Sequence, residues 1–142
     1  MSIEEYKNLT VIRKNGMIPL IPFLSIKEKI LGKAYTLTLI FCTPQESQEK
    51  NKVYRGKDYP TNILSFPLDE DNGEIYISLS TARSDAKKFD MSYIQFLHLL
   101  VIHGALHLKG HLHSSTMEEQ EDILLSHFYT NENTTKKSIV MH

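Results

Sequence analysis

The sequence predicts an α+β fold, a small mixed β-sheet flanked by helices, with one helix buried at the centre. Three observations predict it. Short runs rich in β-formers, with apolar residues at alternate positions, recur up to residue 80. Helical patterns with capping signals then take over, and within them MSYIQFLHLLVIHGALHLK is apolar nearly all round, as a helix covered on every side must be. Third, 142 residues, 41% hydrophobic and 23% charged, suit one domain, read here over residues 1–130 with a polar tail at 131–142. A domain of this length hides roughly 70% of its unfolded surface and builds a core without disulfide staples.

Each element has its own signal. A short strand is expected near Leu9–Ile12, closed by the turn Asn15-Gly16. Residues 20–31 (LIPFLSIKEKIL) turn helical after Pro22, with Ser25 as the cap. Tyr35–Cys42 sets Tyr, Leu, Leu and Phe against Thr, Thr and Ile, which is a strand pattern. Thr43 caps a short polar helix over Pro44–Lys52, and Pro44 suits its first position. A basic loop follows. Asn62–Pro67 and Glu74–Ser80 are strands joined by the turn DEDNG, and a helix covers Ser80–Phe89. Asp90 or Ser92 caps the long apolar helix, which runs through Lys109 and stops at Gly110, a residue that tolerates left-handed backbone. Ser115 or Thr116 opens the last helix, TMEEQEDILLSHFY, whose first turns carry acidic residues.

Composition excludes several classes. Cys42 is the single cysteine, so neither an intrachain disulfide nor a Cys-rich metal site is available, and its apolar surroundings (TLTLIFC) read as a buried, inert thiol. No apolar run approaches the roughly 20 residues of a membrane helix. MSIEEYKNLT has no charged-then-apolar signal pattern, so the expected location is the cytoplasm. The formal net charge of -1 advertises no global affinity for nucleic acid, so any such contact must come from a local patch.

The candidate chemistry lies in HGALHLKGHLH, residues 103–113. His103 and His107 are four apart, which puts both on one helix face, separated by roughly 40° of rotation. After the reversal at Gly110, His113 can return as a third ligand. Neutral imidazole is the commonest zinc ligand, and three protein ligands with a vacant fourth position describe a catalytic site. The spacing HxxxHxxGxxH is zincin-like, and the metzincin proteases share it. Those need Glu directly after the first His as general base, and here that residue is Gly104, which argues against peptide hydrolysis. His111 sits beside the site and could touch substrate. His98, five before His103, faces elsewhere and reads as packed, while His127 and His142 read as bystanders.

A second segment is KNKVYRGKDYPTNILSFP, residues 50–67. Lys50, Lys52, Arg55 and Lys57 bring positive charge together, with Tyr54 and Tyr59 interleaved. Arginine holds a phosphate through two parallel hydrogen bonds, and tyrosine stacks on an unpaired base. A solvated basic loop is the alternative. Ser65 either presents its hydroxyl from the strand or satisfies a backbone group.

Together the two segments resemble the YbeY family of zinc-dependent endoribonucleases. The family's His-Gly-x-Leu-His-Leu-x-Gly and third His match His103, Gly104, Leu106, His107, Leu108, Gly110 and His113. Its Arg-Gly-Lys-Asp-x-Pro-Thr block is similar to the stretch from Arg55, its Gly-Asp-Ile strand to Gly73–Ser78, and its Met-x-x-x-Glu helix to Met117–Glu121. Asn62, Glu74 and Leu112 stand where the pattern has Asp. The resemblance implies a metal-hydrolase domain binding one Zn2+ through His103, His107 and His113. It implies single-stranded RNA as substrate, ribosomal RNA or a ribosomal subunit as partner, and a role in rRNA processing and ribosome quality control. Arg55 is then the catalytic phosphate-binding residue, with Lys57, Ser65 and His111 as further substrate contacts. The rival readings are a metal-stabilised RNA-binding module with little catalysis, and a metal hydrolase of another phosphoester.

Overall fold

The computed structural model describes residues 1–14, 16–110 and 115–129. In chain order its elements are β1 (Ser2–Tyr6), β2 (Leu9–Arg13), α1 (Phe23–Leu31), β3 (Thr36–Cys42), α2 (Pro44–Arg55), β4 (Ile63–Asp69), β5 (Asn72–Ser78), α3 (Leu79–Lys88), α4 (Tyr93–Leu108) and α5 (Ser115–Phe128). The strands form one mixed sheet in the order β1-β2-β3-β5-β4. Pairing is antiparallel at both ends (β1 with β2, β4 with β5) and parallel between β2, β3 and β5. The predicted α+β class and mixed sheet are therefore present.

Register decides what each face carries, because directly paired residues point the same way. Val11, Leu39, Ile75 and Ser65 form one row across four strands, and Phe41, Ile77 and Ile63 share its face. Val11, Leu39, Phe41, Ile75 and Ile77 are almost completely buried there, together with Phe96, Leu97 and Ile102 of α4. Each such side chain contributes about 1.5–3 kcal/mol through burial. Helix α4 packs against α1, α3, α5, β4 and β5, the central position its all-round apolar sequence predicts. Among the described residues no single helix is long and apolar enough to cross a membrane. The opposite face of the hairpin, with Phe66 and Tyr76, is covered by α2.

Several local expectations change. Strand β1 was not foreseen, since SIEEY is mostly exposed and has no apolar alternation. Helix α1 starts at Phe23 with Pro22 at the cap position and no side-chain cap, so Ser25 lies inside the helix. Helix α2 extends three residues past Lys52 to Arg55 because Gly56, at φ 70°, donates its N–H to carbonyls of the last turn. The hairpin turn is tighter than DEDNG: β4 ends at Asp69, β5 begins at Asn72, and the Asp69 carboxylate accepts from Asp71 N–H at 2.8 Å. Ser78 ends β5 and caps α3, while Ser92 rather than Asp90 caps α4, accepting from Gln95 N–H at 3.1 Å. Asp90 instead takes a left-handed turn at φ 54°. Gly110 follows α4 at φ 104°, as anticipated. The proposed tail at 131–142 lies outside the described residues.

His98 is packed, as expected. It is buried, its Nδ1 is 2.8 Å from the Ile94 carbonyl, and its ring meets Tyr129 edge-on. Burial lowers its pKa, against a smaller opposing effect of the Ile94 carbonyl. His127 is exposed. Cys42 is buried, and burial pushes its thiol up to about 12. The native protein should therefore resist a disulfide reagent at pH 8 and react fully once unfolded in urea. Fast labelling of the native chain would contradict this.

Candidate active site

Helix α4 brings its histidines to the edge of the sheet. The rings of His103 and His107 lie 4.7 Å apart between centroids, inclined at 73°, and both are half-buried. The residue between them on the inner side is Gly104. A Cβ there would come within 2.9 Å of Ile75 Cδ1 and 3.0 Å of both Ile63 Cδ1 and Ser65 Oγ. Those distances are below van der Waals contact, so a side chain at this position would force the tips of Ile63, Ser65 and Ile75 out of the places they occupy against the helix. Ser65 donates its hydroxyl to the Gly104 carbonyl over 3.4 Å. It thus serves a backbone group and also lines the cavity.

Behind His103 stands Glu121 of α5. Its Oε2 is 2.5 Å from His103 Nδ1, and its side chain is only 9% exposed. An ionised carboxylate only accepts hydrogen bonds, so beside one a neutral imidazole is favoured with its proton on Nδ1. That tautomer, with a carboxylate on the other ring nitrogen, is the arrangement that metal-binding histidines use. Glu121 was not singled out from the residues as a functional group. Its signal is nevertheless visible, because Met117, Glu121, Leu124 and Leu125 share one buried stripe in a helix whose other carboxylates are exposed.

Arg55 arrives from the far side. Thr43 caps the start of α2 by accepting from Glu46 N–H at 3.1 Å, and Gly56 ends it one residue after Arg55. The following segment is stapled to the helix. Ser47 Oγ donates to the Thr61 carbonyl and accepts from Thr61 N–H, and Asn51 Nδ2 donates to the Tyr59 carbonyl at 2.9 Å. Both residues are buried polar groups that sequence reading passed over. Arg55 is thus not on a loop but on a helix end held against its own exit segment. Of the other cations, Lys50 lies 4.5 Å over the Tyr76 ring, Lys52 is 3.8 Å from Asp58, and Lys57 is exposed.

These elements enclose a cavity of about 140 Å³ lined by Arg55, Ser65, His103 and His107, with Ile63, Pro67 and Leu108 as its apolar wall. Four predicted site residues therefore meet. Lys57 does not line the cavity. His111 and His113 lie outside the described residues. Among the described residues no group of three His, Cys, Asp or Glu side chains converges as a metal site, while the His103–His107 pair with its carboxylate suits two ligand positions.

The profile of the family described as Endoribonuclease YbeY matches residues 14–129. An Endoribonuclease YbeY from Onion yellows phytoplasma is 42% identical over 113 residues, 73% of each chain. That of Halalkalibacterium halodurans is 35% identical over 125 residues, covering 72% of this chain and 79% of its own. A solution structure of a Thermotoga maritima protein superposes with a TM-score of 0.55 at 32% identity, over 73% of this chain and 77% of that one. Fold and relatives together define the class: a nuclease of the hydrolase type. The chain belongs to the YbeY family.

Gly104→Glu would insert the carboxylate that the protease spacing lacks. The expected outcome is loss of folding, since the side chain has no space and a buried carboxylate costs several kcal/mol. A thermal melt followed by circular dichroism reads this out. A stable variant with new peptidase activity would overturn the packing account.

Proposed function

We propose that this protein is a zinc-dependent, single-strand-specific endoribonuclease that acts in ribosomal RNA processing and ribosome quality control in the cytoplasm. One observation carries the reading: Arg55 and the His103–His107 pair line the same small cavity from separate elements. Its volume of about 140 Å³ is below the roughly 300–1,000 Å³ of pockets that engulf whole small molecules. It suits a phosphodiester group, with the nucleosides left outside.

In this reading His103, His107 and His113 hold one zinc ion, within a metal-hydrolase domain over residues 1–130. Bound zinc supplies a Lewis acid at a phosphoryl oxygen and acidifies water at neutral pH. Glu121 holds the His103 ring in the ligating tautomer. Arg55 grips the phosphate and opposes the charge that develops on its oxygens as the P–O bond breaks. Ser65 lends a hydroxyl from β4, while Lys57 and His111 steer the flanking backbone.

Arg55→Ala should lower kcat on a single-stranded RNA by about 10²–10³-fold with zinc content unchanged, the scale of losing one transition-state donor. Wild-type cleavage by this variant would remove the assigned role. Glu121→Gln should weaken zinc binding by about 10–100-fold in a chelator competition. Equal affinity would show that the carboxylate does not tune the ligand. A substrate with one 2′-deoxy nucleotide at the scissile position assigns the nucleophile: continued cleavage means water, and a block means the 2′-hydroxyl.

A further inference from the structure

A cavity sized for one phosphate leaves the rest of a polynucleotide to be held elsewhere. The chain carries a candidate directly beside Arg55. Tyr54 is 64% exposed, a large aromatic ring on the outer side of α2 beside the exposed Val53. It is not loose, however. Its ring centroid is 4.9 Å from that of Phe66 at 55°, and Phe66 meets Tyr76 at 5.7 Å and 74°. Lys50, one helical turn before Tyr54, closes this ladder over the Tyr76 ring. Phe66 and Tyr76 are rooted in β4 and β5, so Tyr54 is an exposed ring on a rigid aromatic footing.

Position adds to this. Ser65 and Phe66 are consecutive in β4 and face opposite ways. Ser65 lines the cavity, and Phe66 carries Tyr54. Arg55 and Tyr54 are likewise consecutive at the end of α2, with Cα atoms about 3.8 Å apart. The two residues therefore straddle β4, the outermost strand of the sheet among the described residues. Lys52 and Lys57 are exposed two and three residues away along the chain, Lys52 within 3.8 Å of Asp58. An exposed ring on an aromatic footing, consecutive with the arginine of a phosphate-sized cavity, fits an unpaired base attached to a phosphate.

We infer that Tyr54, backed by Phe66, is a stacking subsite for the unpaired base adjoining the phosphate held at Arg55, so that the RNA strand crosses the edge of β4. This rests on the reading of Arg55 given above. It gives a physical basis for single-strand preference, because a base inside a duplex cannot turn out onto the ring without unpairing.

The test uses the full-length zinc-loaded protein and a short single-stranded RNA, intact or with one abasic nucleotide on either side of the scissile phosphate. One base stack on an aromatic side chain contributes about 1–3 kcal/mol. Tyr54→Ala should therefore raise KM roughly 5- to 100-fold with kcat little changed, and Tyr54→Phe, which keeps the ring, should restore KM. An abasic residue at one flanking position should raise KM for the wild type and leave Tyr54→Ala unaffected. A wild-type KM for Tyr54→Ala, or abasic losses equal in both proteins, would overturn the subsite and leave the patch to a protein partner. Arg55→Ala separates the two levels. If it abolishes cleavage while Tyr54→Ala behaves as wild type, only the stacking subsite falls. If it cleaves normally, the reading beneath it falls too.

Discussion

The closeness of α4 to the β4–β5 hairpin is the constraint on which the site depends. Gly104 lies at the contact, where an added Cβ would press on the side-chain tips of Ile63, Ser65 and Ile75. Across this contact His103 and His107 of the helix and Ser65 of the strand line one cavity. The same glycine occupies the position where a protease of similar spacing carries its base. Packing and chemistry therefore exclude one another at this residue: the chain has a tight helix–sheet contact in place of a carboxylate.

Around that contact the site is assembled from pieces that are each held independently. Helix α5 supplies the carboxylate behind His103. The end of α2 supplies Arg55, and its orientation depends on Gly56 and on the buried pair Ser47 and Asn51. Buried polar side chains like these are effective because each has a backbone partner at a defined place, and leaving one unmade costs about 1–3 kcal/mol. The basic segment is ordered because α2 and its exit are joined across the loop.

Much of this was legible in the sequence. The all-apolar run marks α4, and histidines four apart mark one face of it, because both follow from helical periodicity. The β3 and β5 strands were legible through alternation. What escaped did so for identifiable reasons. SIEEY pairs only at an edge and buries little, so it leaves no apolar imprint. Val53–Arg55 read as loop because the last turn of α2 is held by a glycine cap and two buried polar residues rather than by an apolar stripe. Glu121 was hidden in the acidic run EEQED, where only its place in the stripe sets it apart. Pro22 displaced the expected Ser25 cap because a proline already blocks continuation of the helix on its N-terminal side.

The bond between His103 and Glu121 spans 18 residues and joins the central helix to α5. The described residues that line the cavity all lie before residue 110. A growing chain that has not yet made α5 therefore already owns the arginine, the serine and both histidines, but not the group that fixes the first ring. The orientation of the His103 ring is thereby tied to the docking of the last helix, so any loosening of α5 is felt at that ring before it reaches the rest of the cavity.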